Sequence, residues 1–339
     1  MGKRLIGSKK FNLFGLEALT NGRNLLGFSA GVDSTCLFFL LLNSNIDFDI
    51  AIVDYGIRAE SKSEIAYAKK LAKKYKKQIF ISKAPKFKNN FEANARAFRF
   101  DFFAKIILES NYQNLILAHQ LNDRFEWFLM QFAKGAGLNS LLGFDYITKN
   151  VDFNIIRPLY NTKRADILAF LKKNKIKYFV DKSNKNQAFL RNYFRKHYAN
   201  RFIKDFEKGV IKSFHLLKND YQAIYGNVFV YNVANIFICK KDSALLNLYN
   251  IDICVKKLGY VVSSKQRDEI LKSRYSCVVA SKFIIDCNDR FIFITKDSAR
   301  FSHDKQIRNI LRLHSIPPKI RPFVDLNLLE EIKNIVDKT

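Results

Sequence analysis

Apolar residues along this chain fall into short runs set between amphipathic stretches. Leu25-Leu26 opens a buried run that ends in the loop Ser29-Ala30-Gly31-Val32-Asp33-Ser34, and a helix-like apolar run, Cys36 to Leu42, follows. Residues 47–55 read as a second buried strand. Ser63 to Lys77 carries Ile65, Ala68, Leu71 and Ala72 on one face and lysines opposite, the signature of a helix lying on a sheet. Gln78 to Ser82 is a third short strand and Leu115 to His119 a fourth, with a helix expected between them, capped by Asn90. The alternation β-α-β-α-β predicts a doubly wound parallel sheet.

Beyond Arg201 the texture changes. Residues 201–225 predict a connecting helix. Residues 226–300 predict a smaller α+β domain: a strand or hairpin over 227–240 and helices near 243–258 and 264–273. A hairpin of 276–286 with 290–295 would turn at Asn288-Asp289. Residues 301–339 read as a basic C-terminal tail, with a rigid segment at His314 to Pro322 that either touches nucleic acid or anchors the terminus on the core.

Composition adds a partner class. The 339 residues are 48% hydrophobic, enough for two or three domains. Lys plus Arg number 58 against 31 Asp plus Glu, a formal charge of +27. Codon bias toward Lys, Asn and Ile accounts for some of the lysines but not for the shortage of acids, so a polyanion, nucleic acid first, is the expected partner. The five cysteines, at 36, 239, 254, 277 and 287, include no Cys-x-x-Cys pair, which argues against a zinc ribbon or an iron–sulfur site. They read as reduced thiols in a cytoplasmic protein. No run approaches the ~20 apolar residues of a membrane span, and the basic N-terminus lacks a signal-peptide core.

The loop at 29–34 is the first candidate for chemistry. Strand, tight loop and helix N-terminus together form an anion pocket, because free N–H groups and the helix dipole point the same way. Ser29 and Ser34 add hydroxyls, and Asp33 can hold a metal ion beside a phosphate. No Gly-Lys-Ser/Thr follows, so the loop is not a Walker motif. Further along, Glu92, Arg96 and Arg99 share one helix face. His119 closes the fourth strand, and Asp123 and Glu126 follow at i and i+3 on a helix start. Taken alone, each has an ordinary reading: a solvated ion pair, a packed histidine, first-turn acids suited to the dipole.

The loop resembles the Ser-Gly-Gly-x-Asp-Ser loop of the PP-loop ATP pyrophosphatases, with Ala30 in place of a glycine. The order of motifs narrows the resemblance. Val53-Asp54-Tyr55-Gly56-Ile57-Arg58, Glu92…Arg96…Arg99, His119…Asp123…Glu126, Gly135-Ala136-Gly137-Leu138, Ile156-Arg157-Pro158-Leu159 with Ala165-Asp166-Ile167, and Asp181-Lys182-Ser183-Asn184 with Arg191-Asn192 and Arg195 occur as in tRNA(Ile)-lysidine synthetases. The match covers roughly residues 22–200, so residues 1–200 are the expected catalytic domain. Tyr55 stands where that family usually has His, Asn122 where it often has Asp, and Trp127 where Thr is common.

The resemblance implies an ATP-dependent ligase. ATP adenylates C2 of the wobble cytidine in a CAU-anticodon tRNA(Ile). Free L-lysine then displaces AMP to form lysidine, which changes codon reading from AUG to AUA. It implies ATP bound by Ser29, Ala30, Gly31, Val32, Asp33 and Ser34, with Mg2+ on Asp33. Lysine would be taken by Asp123, Glu126 and His119. Arg96, with Arg99 as the alternative, would stabilise charge on the cytidine. Arg58, Arg191, Asn192 and Arg195 would contact tRNA or nucleotide. A homodimer is also within the family's range. Two other classes compete. A tRNA thiolase of the same superfamily is disfavoured because Cys36 lies in the first helix and the other cysteines lie beyond residue 238. A non-catalytic RNA-binding protein is disfavoured because Asp33, Asp123 and Glu126 are all kept.

Overall fold

The computed structural model describes residues 5–56, 60–180, 190–226 and 228–337. The chain divides into two compact units, Met1–Asp220 and Tyr221–Thr339.

The first unit is built on a six-stranded sheet: β1 (Asn24–Gly27), β2 (Asp49–Asp54), β3 (Ile79–Lys83), β4 (Asn114–Ile116), β5 (Ile147–Lys149) and β6 (Asn154–Ile156). Its order is β3-β2-β1-β4-β6-β5. All neighbours are parallel except β5 with β6. The doubly wound sheet expected from the alternation is therefore present, with an antiparallel edge strand that the pattern did not announce. β1 is flanked by β2 and β4, so the chain leaves β1 and β4 in opposite directions. The crevice at their carboxyl ends is where such sheets bind ligands.

The helices of this unit are α1 (Leu16–Thr20), α2 (Val32–Asn43), α3 (Glu60–Tyr75), α4 (Phe91–Ser110), α5 (Leu121–Phe132), α6 (Leu138–Leu141), α7 (Arg164–Lys173), α8 (Leu190–Phe194) and α9 (Asn200–Tyr225), with a π-helical turn at Arg195–Ala199. Helix α2 is the buried centre. Residues Ser34 to Leu41 are all buried, and Phe38 packs edge-on against Phe39, Phe48 and Tyr75. Asn90 precedes α4 in a left-handed conformation (φ 47°) and makes no side-chain cap, contrary to expectation. A left-handed backbone is not the extended geometry from which an N-cap side chain accepts a bond. Residues 201–225 are more than a connector: Ile203, Val210 and Phe214 of α9 pack with Leu121 and Phe125 in the core of the first unit.

The second unit holds an antiparallel sheet of β7 (Val230–Val233), β8 (Ile236–Lys240), β9 (Cys277–Val279), β10 (Phe283–Cys287) and β11 (Phe291–Lys296), in the order β7-β8-β11-β10-β9. Alternation sends Phe237 and Cys239 to one face, against α10 (Ala244–Lys257) and α11 (Ser264–Lys272). It sends Ile236 and Ile238 to the other, against α12 (Lys305–Leu313) and α13 (Leu326–Val336). The segment expected as a tail is thus a layer of the unit. Leu311, Ile316, Ile320, Leu329 and Ile332 are its buried contacts. The strand expected over 276–286 breaks at Ala280 and Ser281, both left-handed (φ 50° and 53°), in a hairpin turn closed by the Lys282 N–H donating to the Val279 carbonyl (3.1 Å). The turn at Asn288 forms as expected, with its side-chain oxygen accepting the N–H groups of Arg290 and Phe291. Among the described residues no helix is long and apolar enough to cross a membrane.

Candidate active site

The loop between β1 and α2 is tied on both sides. The Phe28 N–H donates to the Ala51 carbonyl (2.8 Å) and the Phe179 N–H donates to the Ala30 carbonyl (2.9 Å). The Ser34 hydroxyl sits inside the turn. It accepts from the Ser29 N–H (3.2 Å), lies 3.0 Å from the Ser29 hydroxyl and donates to the Gly31 carbonyl (3.4 Å). The Ser29 hydroxyl in turn accepts from the Gly31 N–H (3.3 Å). These two hydroxyls shape the loop first. No side chain caps α2, whose N-cap is Gly31, so its first-turn N–H groups face an open anion position. Ala30 is left-handed (φ 55°) and fully buried. A glycine would adopt that conformation freely, whereas an L-residue holds it at a cost of about 1–2 kcal/mol. The substitution is therefore a strained one.

Asp33 follows in the first turn of α2. Its Oδ2 accepts from Arg164 Nη1 at 3.0 Å, while Oδ1 is buried without a partner. Burial pushes the carboxyl up to about 6. Arg164 opposes that rise and the neighbouring Asp123 adds to it. Asp33 and the acids of α5 therefore feel one another across the crevice.

Those acids are buried, Glu126 completely. Asp123 has two duties. Its Oδ2 accepts the Gln120 N–H (3.0 Å), half of a capping box at the start of α5, and its Oδ1 accepts from Arg191 Nη2 (2.6 Å). Glu126 accepts from Arg191 Nε (3.0 Å) and from Arg195 Nε (2.6 Å) and Nη2 (2.9 Å). Burial alone would raise the Asp123 carboxyl. Arg191, His119 and Arg195 outweigh it and hold the group below the usual carboxylate range. Two carboxylates thus meet two guanidinium groups brought in by α8 and the π-helical turn. Sequence reading placed Arg191 and Arg195 on tRNA or nucleotide; here their first partners are the acids.

His119 lies beside this cluster. Burial drives its imidazole down to about 3. Asp123 opposes this, while Arg157, Arg191 and Arg96 add to it. Its Nδ1 is buried without a partner, and the ring lies 5.0 Å from Phe144, tilted by 39°. A neutral ring with so acidic a conjugate acid is a weak proton acceptor at pH 7. It serves this site as a neutral polar group. Arg96 lies over the Phe100 ring (4.7 Å) and is held below the usual arginine range by burial and by the charges of Arg99 and Arg191. The charge of Arg99 acts on Tyr55, whose hydroxyl donates to the Ala95 carbonyl (3.3 Å). The charge of Arg96 also acts on His119.

A PP-loop domain profile matches residues 8–202. The chain is 44% identical to the tRNA(Ile)-lysidine synthase of Helicobacter pylori over 317 residues, 93% of each chain. It is 40% identical to those of Campylobacter jejuni over 309 residues and Wolinella succinogenes over 308, in both cases 91% of this chain and 94% of the other. This chain belongs to the tRNA(Ile)-lysidine synthase family.

Sequence reading of this family member missed Arg164, the partner of Asp33. A signal was present: a cation in the first turn of a helix opposes the dipole and needs a local anion to justify it. It also left Asn122 unexplained. The Asn122 side-chain oxygen accepts the Arg164 N–H (3.0 Å) and its amide donates to Asn200 Oδ1 (2.8 Å). A carboxylate could make only the first of these bonds, so asparagine is what joins α7 to α9 here. Trp127 donates from Nε1 to the Ser140 carbonyl (2.8 Å), which fastens the turn after Gly137. Asn192 lies half-buried beside Arg191 on α8. Ile57, Arg58 and Asp181-Lys182-Ser183-Asn184 lie outside the described residues.

Proposed function

We propose that this chain forms lysidine at the wobble cytidine of a CAU-anticodon tRNA(Ile), using ATP and free L-lysine in one crevice. The reading is supported by family membership together with one observation. Arg164 joins the start of α2 to the start of α5: its guanidinium donates to Asp33 Oδ2 (3.0 Å) and its N–H to Oδ1 of Asn122, next to Asp123 (3.0 Å).

In this reading the triphosphate lies on the uncapped N–H groups of Val32 and Asp33, within the loop held by Ser29, Ala30, Gly31 and Ser34. The residues fit a Mg2+ ion. The unpartnered Asp33 Oδ1 offers one oxygen, and Mg2+ completes its shell with phosphate oxygens and water rather than with a protein cage. When bound, it would neutralise the departing pyrophosphate. Arg96 stands over the α-phosphate, whose oxygens carry negative charge as the C2 oxygen attacks the α-phosphorus and pyrophosphate leaves.

Lysine arrives as a cation of pKa about 10.4, a poor nucleophile until it loses a proton. Asp123 and Glu126 take its ε-ammonium; once it has displaced the arginines whose charge holds Asp123 low, these carboxylates accept its proton as the amine attacks C2 and AMP leaves. Arg191 and Arg195 now occupy these carboxylates, so an incoming ammonium exchanges with a guanidinium. The released arginine is then free to hold AMP phosphate or the tRNA backbone, with Asn192 beside it. His119 lines this pocket as a neutral group. The remaining partners, a second copy of the chain and a cytoplasmic setting, follow from the family reading alone.

Incubation with ATP, labelled lysine and a CAU-anticodon tRNA(Ile) transcript should yield a nucleoside heavier by one lysine residue, with one AMP released per modification. Absence of lysine from the digested tRNA, with ATP consumed or not, would reject the assignment.

A further inference from the structure

Aromatic residues recur every fourth position on one side of α8, the π-helical turn and α9: Phe194, Tyr198, Phe202 and Phe206. They lie one residue around the helix from Arg191, Arg195, Ala199 and Ile203, the row that faces α5. Rings in a helix normally go to the core. Here Tyr198 is 48% exposed, Phe202 45% and Phe206 57%. Phe202 stacks on Phe125 (5.1 Å) and meets Phe206 at a tilt of 48° (5.0 Å). The column continues through Phe128 to Phe132, which is 65% exposed. The backbone is irregular where the stripe needs it. The π-helical turn precedes Phe202, and Phe206 leaves helical geometry (φ −125°, ψ 24°). Such departures gather at functional sites.

The surrounding charge is positive. Lys196, Arg201, Lys204 and Lys208 are exposed along the same helices. The acids among them are Asp205 and Glu207, and Glu207 is engaged by Lys163. An apolar protein surface has no use for such a basic border, whereas a polyanion carrying flat rings matches both features.

We infer that this stripe is a stacking platform for unpaired bases of the tRNA anticodon loop that flank the reacting cytidine. The inference rests on the function proposed above. To place a base in the crevice, the enzyme must take it out of the loop's stack, and its neighbours lose their partner. Exposed rings one residue away from the row that grips Asp123 and Glu126 replace that partner. The lysines and arginine hold the backbone on either side.

The test uses the full chain and a CAU anticodon stem-loop with 2-aminopurine next to the wobble cytidine. Wild-type protein should quench the fluorophore. The double variant Tyr198→Leu/Phe206→Leu keeps the surface apolar but removes two rings. It should bind the stem-loop at least tenfold more weakly and lose the quenching, and its tRNA KM should rise while the ATP KM stays. Phe206→Tyr should behave as wild type. Equal binding by the leucine and tyrosine variants would overturn the platform. So would a dimer, seen by sedimentation, that the leucine variant dissociates without loss of RNA affinity. If wild-type protein modifies tRNA yet the variants bind normally, only the platform fails. If wild-type protein forms no lysidine, the underlying function fails.

Discussion

The two units bury different things. Beneath the helices of the second unit, the buried polar side chains among the described residues are Asn247, Asn250, Asp286 and Thr295, and the rest is Ile, Phe, Val, Leu and Cys. The first unit buries Asp123, Arg124, Glu126 and Arg157, together with Asn24, Asn114, Gln120 and Asn122. Burying an ion pair stabilises a fold poorly, because desolvation consumes most of the Coulomb gain. A unit that nevertheless concentrates them at the carboxyl ends of β1 and β4 is built around a site. The second unit is built around its own packing.

The sharpest way to break this contrast is Glu126→Ala. It leaves Arg191 and Arg195 without their main buried partner and should cost roughly 3–5 kcal/mol, read as a lower urea midpoint for the first unit. Adding Arg195→Ala should restore part of that loss. If the double variant is as unstable as the sum of the singles, the cluster is not coupled.

Next in size is pH. The Asp33 carboxyl moves from 3.8 in the unfolded chain to about 6 in the fold, so the folded state binds more protons between those values. Stability should therefore fall as pH rises from about 4 to 6 and then level off. At 1.36 kcal/mol per pH unit the total is about 3 kcal/mol. Asp33→Asn should flatten this slope in denaturant titrations, and an unchanged slope would remove Asp33 as its source.

A smaller effect should separate the two halves of the crevice. Asp123→Asn should raise the lysine KM by about tenfold, equivalent to about 1.4 kcal/mol, and the ATP KM much less. Equal changes would move Asp123 to the nucleotide's side. The smallest belongs to the second unit. Asp304 caps α12 by accepting the Ile307 N–H (2.7 Å). Asp304→Ala should lower that unit's stability by about 1 kcal/mol, with no change in the KM for ATP or lysine.

Local pattern was enough for much of this molecule. The alternation of runs before residue 120 announced the parallel sheet, the spacing of Asp123 and Glu126 placed both on one helix face, and Asn288 announced its turn. These depend on residues a few positions apart, and sequence records such distances directly. The tail was misread for the opposite reason. Leu311, Ile320 and Ile332 become a layer only when β8 and β11 are laid beneath them.

The sequence by itself determined which chemical groups were available, in what order, and on which kinds of element. Only the tertiary structure decided who meets whom: Arg164 with Asp33 across 131 residues, and Arg191 with Glu126 across 65. It also decided that His119 stays neutral and that Ala30 is left-handed. Charge and strain depend on burial and on neighbours distant along the chain, and no local spacing encodes either.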